Sequence, residues 1–264
     1  MIPIGDSPHS RSVPHVTRAL LVANALVFLF MLTLSTSTST SRGQAQAQFD
    51  EQTAGICYGL ETAPTGTDRF YCKWSFQPRE WFDTVRGKSA TPQQSKALVL
   101  LTILTSLFIH AGWLHIAGNL LFLWVFGDNV EDRLGHAGFL VFYLLSGVAA
   151  NLLQGAIDPA SVIPNVGASG AIAGVLGAYL VYFPRARIRA LVPFLFFIPL
   201  NIPAVVMIGF WFLTNLFSGL GTLGTASGAS SGVAFFAHVG GFLFGAAAVV
   251  LLGRPGRDDP KAAS

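Results

Sequence analysis

Five stretches of the chain contain no Asp, Glu, Lys or Arg: residues 19–41, 97–127, 134–157, 159–184 and 190–253. A charge at the centre of a bilayer costs roughly 2.5–3.5 kcal/mol even on the lenient insertion scale, so such runs mark helices that cross a membrane. The last run is far longer than the ~20 residues one crossing needs, and a Gly/Ser-rich stretch at 218–232 divides it. The pattern predicts six transmembrane helices, at 19–35, 113–131, 136–156, 168–184, 200–219 and 233–253. Residues 97–112 are apolar but leave no room for a crossing before the second span, and read as an interfacial or re-entrant helix. The expected fold class is an all-α polytopic membrane bundle. Its parts are an N-terminal tail (1–18), a first transmembrane helix (19–35), a long loop with its interfacial segment (36–112), the main bundle (113–253) and a C-terminal tail (254–264).

Positive charge orients the spans. Arg185, Arg187 and Arg189 follow the fourth, Arg254, Arg257 and Lys261 follow the sixth, and Arg11 and Arg18 precede the first, while 157–167 and 219–232 carry no Lys or Arg. The positive-inside rule then places both termini in the cytoplasm and the start of the fourth span on the outer side, with a bacterial inner membrane the expected home. The seven Lys and Arg of 36–96 do not oppose this, because a loop that long is exported largely regardless of charge. A rival reading takes 19–35 with the downstream Ala45-Gln46-Ala47 as a cleaved signal peptide, which leaves five spans and the same topology beyond them.

Composition sharpens the class. With 52% hydrophobic and only 11% charged residues, against about 25% charged in soluble domains, an ordinary soluble enzyme, a disordered chain and a nucleic-acid-binding protein are excluded. The net charge of +3 is too small to imply a polyanionic partner. The two cysteines, Cys57 and Cys72, both lie in the long loop, where one disulfide and two free thiols remain open alternatives. No metal site and no organic cofactor are implied, and the oligomeric state is left open.

Ionisable and nucleophilic groups at membrane depth are functional candidates. Asp128 and Glu131 stand at the end of the second span and no other Asp or Glu lies inside the six, which disfavours proton-coupled transport and a two-aspartate protease; the absence of visible repeats also disfavours a transporter. His115 and Asn119 sit four residues apart and share a helix face, as two donors for a developing oxyanion or as interhelical hydrogen-bonding groups. Extrapolating 100° per residue back from His115 turns His110 about 140° away, toward a structural hydrogen bond elsewhere. Ser169 opens the fourth span in Gly167-Ala168-Ser169-Gly170-Ala171, where unpaired backbone N–H groups favour negative charge. Gly170, Gly174 and Gly177 then permit close approach of another helix. The sixth span offers one: His238 shares a face with Gly241 and Gly245. Two glycine-bearing helices packed together would bring Ser169 and His238 within reach as nucleophile and base, a dyad with no carboxylate as third member.

These residues resemble the rhomboid intramembrane serine proteases. The matching motifs are His115-x-x-x-Asn119, Gly167-x-Ser169-Gly170 and Ala237-His238-x-Gly240-Gly241-x-x-x-Gly245, with 127–135 similar to that family's second-span exit. The resemblance covers roughly 105–253. It implies Ser169 as nucleophile, His238 as base, and His115, Asn119 and the Ser169 N–H around the oxyanion. It further implies transmembrane protein substrates embedded in the lipid bilayer, and no cofactor. The fifth span, with Pro193, Pro199 and Pro203 at or before its start, and the 219–232 loop would form the side where a substrate helix enters. Two departures stand out: 97–110 lacks the family's Trp-Arg pair, and Ala173 occupies the place where some members carry an aromatic ring supporting the histidine. A proteolytically silent, client-binding rhomboid-like protein is the alternative reading.

Overall fold

A computed structural model describes residues 1–7, 10–34, 65–88, 95–192, 198–222 and 234–253. The helices are α1 (His15–Met31), α2 (Gly66–Trp74), α3 (Pro78–Val85), α4 (Lys96–Thr105), α5 (Trp113–Leu134), α6 (His136–Ile157), α7 (Ser169–Tyr182), α8 (Ala204–Thr222) and α9 (Phe235–Leu251), with a 3₁₀ turn at Ser106–Phe108. The expected helical bundle is what forms. By length and apolarity α6 and α8 each suffice to cross a bilayer, and α5 does so together with Lys96–Phe108, from which it bends by 79°. The apolar helices α1, α7 and α9 are shorter.

At the centre lies α7, whose sequence SGAIAGVLGAYLVY buries every residue from Gly170 to Tyr179. A helix apolar all round has no solvent face to spare, so it takes the middle of the bundle, with α9 and α6 packed on it. Small residues permit this on two sides. A Cβ at Gly241 would strike the carbonyl oxygen of Gly170, and one at Gly245 that of Gly174, so α7 and α9 touch backbone to backbone. Toward α6, a Cβ on Gly170 would come 2.5 Å from that of Ala150, and one on Gly174 would strike Ser146.

The helical pattern does not announce an antiparallel sheet in the order β1 (Ile2–Ser7), β2 (Arg187–Val192), β3 (Ile198–Pro203). Part of the N-terminal tail thus pairs with the connection after α7. The sheet also takes residues that the charge-free pattern assigned to the fifth span, whose helix begins at Ala204 rather than 200. Pro199 and Pro203 explain the shift: proline disrupts a helix interior but is tolerated on an edge strand. The expected part of Pro193 and most of 219–232 in substrate entry falls outside the described residues.

The same end of the bundle is tied by α5 carboxylates. The N-cap residue of α1, Pro14, has no side chain that could cap it, and Glu131 of α5 does so instead, accepting from Val16 N at 2.9 Å and from Thr17 N and Oγ1 at 2.7 Å. Ser12 donates to Asp132 through N at 2.9 Å and Oγ at 2.6 Å, and Asp6 accepts from Asn129 Nδ2 at 2.9 Å and from the Tyr179 hydroxyl.

At the opposite end, the chain entering α7 is fixed from two directions. Asn165 N donates to Phe76 O at 2.8 Å, and Gly167 N donates to Ser106 O at 2.9 Å. Phe76, in the turn between α2 and α3, is fully buried. Cys72 of α2 is disulfide-bonded; Cys57, the only other cysteine of the chain, lies outside the described residues, as do Ala45-Gln46-Ala47 and the C-terminal basic cluster.

Candidate active site

Ser169 is the first residue of α7, so its N–H has no partner within the helix. The backbone reaches it through Gly167, whose φ of +123° is one that L side chains rarely adopt. Space demands glycine there too: a Cβ would fall 2.7 Å from His115 Nε2 and 2.8 Å from Cε1. The imidazole of His115 therefore lies against the backbone two residues before Ser169.

His238, in the first turn of α9, meets Ser169 across the α7–α9 contact, with Nε2 2.7 Å from Oγ. The glycine-to-glycine contacts that draw the helices together lie one and two turns further on, at Gly241 and Gly245. A side chain of α6 also holds the start of α9, where Gln154 Oε1 accepts from Ala237 N at 3.1 Å. The other ring nitrogen, Nδ1, is 2.6 Å from Oδ1 of Asn215 on α8. Trp211, one turn before Asn215, lies against the imidazole with ring centroids 5.5 Å apart and planes at 41°.

One departure finds its counterpart here, and one expectation changes. The aromatic neighbour of His238 comes from Trp211 rather than from position 173. Ala173 is fully buried, and its Cβ would stand 3.4 Å from a Cβ on Gly241, so no ring fits there without parting the helices. Nor does His110 face away from His115: their rings meet edge to face at 5.1 Å. The helical extrapolation fails because α5 begins only at Trp113, and the extended backbone at Ile109 and Gly112 turns His110 back.

Asn119, buried on α5, donates through Nδ2 to His115 O at 2.9 Å, which leaves its second amide hydrogen for another acceptor. His115 Nε2, that amide hydrogen and the Ser169 N–H all belong to groups at this end of the bundle. Sequence reasoning missed Asn215, although it was visible as a polar residue in the apolar run AVVMIGFWFLTNLFSGLGT. A hydroxyl bonded to an imidazole, with amide and ring N–H groups nearby, can form and stabilise an oxyanion in acyl transfer.

A family model described as the Rhomboid domain matches residues 98–255, more than half of the chain. The chain is 34% identical over 155 residues to Rhomboid protease GluP of Bacillus subtilis, covering 58% of this chain and 26% of that protein. It is 31% identical over 161 residues to the human Presenilin-associated rhomboid-like protein, mitochondrial, covering 59% of this chain and 38% of that one. With Rhomboid-like protein 11, chloroplastic, of Arabidopsis thaliana it shares 44% over 71 residues, 27% of this chain and 25% of that protein. The chain thus matches only between a quarter and two-fifths of the length of these relatives.

Proposed function

The chain belongs to the rhomboid family and is a multi-pass membrane protein, and from that premise we propose that it is an intramembrane serine endopeptidase working through Ser169 and His238. The observation that carries this reading is the 2.7 Å hydrogen bond between Ser169 Oγ and His238 Nε2 at the start of the central helix. Among its relatives are proteins named as rhomboid proteases.

In this reading Ser169 Oγ attacks the carbonyl carbon of the scissile peptide bond as its proton passes to His238 Nε2. The negative charge that develops on the carbonyl oxygen is met by the Ser169 N–H, the His115 ring and the free amide hydrogen of Asn119. Losing one such donor in a protease costs roughly 2.7–4 kcal/mol of transition-state stabilisation. Collapse of the tetrahedral species breaks the C–N bond, and the leaving amine takes the proton from Nε2. Water then cleaves the Ser169 ester by the same steps, restoring the hydroxyl. No cofactor enters any of them.

The substrates are transmembrane segments of other proteins, with small residues at the cut and helix-breaking residues nearby, because the bond must leave its helix to be attacked. Water reaches the site because α7 has only 14 residues. At 1.5 Å per residue it spans about 21 Å of a ~30 Å hydrocarbon layer, and with its other end beside the cytoplasmic Arg185–Arg189 segment the shortfall lies above Ser169, where this reading has water enter. Six helices cross: α1, α5, α6, α7, α8 and α9. The end bearing β1, Arg185, Arg187 and Arg189 faces the cytoplasm, with Ser169 toward the outside of a bacterial inner membrane.

Cleavage of a single-span reporter in proteoliposomes tests the assignment. Wild type is expected to cut it, and Ser169→Ala and His238→Ala, inserted and folded alike, are expected not to. Cleavage persisting in Ser169→Ala would remove the proposed nucleophile.

A further inference from the structure

A neutral histidine can accept the serine proton only if Nε2 is bare, which requires the hydrogen on Nδ1. Free imidazole does not hold one tautomer, so something must hold this one. The group facing Nδ1 is Asn215 Oδ1, 2.6 Å away. The orientation of that amide follows from its other end, where Nδ2 lies 2.8 Å from Trp211 O. A carbonyl only accepts, so the amide nitrogen faces Trp211 and the oxygen faces His238; the flipped amide would set two oxygens against each other. An amide oxygen only accepts as well, so the hydrogen between Asn215 and His238 sits on Nδ1. Asn215 is 8% exposed, which leaves little water to compete.

We infer that Asn215 is the positioning residue for His238, holding the Nδ1–H tautomer and the ring plane that aims Nε2 at Ser169. The inference rests on the proposed Ser169–His238 chemistry and converts the dyad into a serine–histidine–asparagine relay spread over α7, α9 and α8. Being neutral, Asn215 orients the imidazole and stabilises the imidazolium by its dipole, without the full charge a carboxylate would supply. The Trp211 ring, from the same helix, also packs on the imidazole, with centroids 5.5 Å apart. Any displacement of α8 from α9 therefore removes the acceptor and the ring together.

The test reads the tautomer directly, in the full chain with ¹⁵N-labelled histidine in detergent micelles, the His238 signals being assigned by difference from His238→Gln. Wild type is expected to show a protonated Nδ1 and an unprotonated Nε2. Asn215→Leu, or Asn215→Ala if the larger side chain fails to fold, is expected to lose that preference, and Asn215→Asp to keep it. In reporter cleavage, kcat is expected to fall about 10- to 100-fold in Asn215→Leu with KM little changed, and to recover in Asn215→Asp. An unchanged tautomer in Asn215→Leu, or a loss that Asn215→Asp does not rescue, overturns the inference. The two readings fail separately. Cleavage abolished by Ser169→Ala but equal in Asn215→Leu and wild type sinks only the asparagine. The expected tautomer pattern with no cleavage by wild type sinks the protease and leaves the positioning role standing.

Discussion

Replacing Gly167 by alanine should do two separable things. The first is conformational: at φ +123° a Cβ is strained wherever it points, a cost of about 1–3 kcal/mol. The second is steric and specific to one neighbour, because the new methyl lies 2.7 Å from His115 Nε2. Ordinary contact needs about 3.5 Å, so the imidazole must retreat by about 0.8 Å. Overpacking of that kind costs about 1–3 kcal/mol, and displacing a catalytic group by about 1 Å costs about a hundredfold in rate. A double-mutant cycle with His115→Ala separates the two. In the wild-type background Gly167→Ala should show both costs, and in the His115→Ala background only the backbone cost. Equilibrium unfolding in mixed micelles gives the stabilities, and reporter cleavage gives the rates. Cleavage should fall about a hundredfold on Gly167→Ala in the wild-type background and little further once His115 is gone. If the stability cost is the same in both backgrounds within about 0.5 kcal/mol, or cleavage is unaffected, His115 does not occupy the space over Gly167 and the argument fails.

Gly241→Ala places a methyl on the backbone oxygen of Gly170, and should destabilise by about 1–3 kcal/mol or more while lowering serine reactivity; Gly209→Ala, which meets nothing within 4 Å, should stay within about 1 kcal/mol of wild type in the same unfolding assay. Glu131→Leu strips the cap from α1 and leaves the partly buried donor of Val16 and the buried donors of Thr17 unmet, a loss of about 3 kcal/mol by unfolding titration; a change below about 0.5 kcal/mol would contradict the capping role. Trp211→Ala removes the ring beside His238 and should slow cleavage about two- to tenfold with insertion intact, whereas an unchanged rate would mean the ring only fills space.

What could be read in advance follows the physics of each feature. Charge exclusion from a bilayer is severe, so charge-free runs pointed to the apolar helices α1, α5, α6, α7, α8 and α9, of which α1, α7 and α9 are the shorter ones. Glycine spacing on two of those helices pointed to the α7–α9 contact because close approach leaves no other residue type. The β1–β2 pairing was hidden: Ile2–Ser7 is short, contains Pro3 and Gly5, and finds its partner at Arg187–Val192, far along the chain. His110 was misplaced because helical periodicity was carried past a helix start. Asn215 was overlooked because a single amide in an apolar helix reads as packing until its neighbour is known. The capping of α1 by Glu131 was invisible for the same reason, since a cap supplied by another helix has no local signature.

The central claim is that Ser169 is a nucleophile activated by His238, and covalent labelling tests it without a known substrate. Purified wild-type protein would be treated with a fluorophosphonate probe in detergent and the modified residue located by mass spectrometry. The account predicts modification at Ser169, at a rate reduced at least about a hundredfold in His238→Ala. Modification at a different serine, or labelling of Ser169 that is as fast without His238 as with it, would contradict the account.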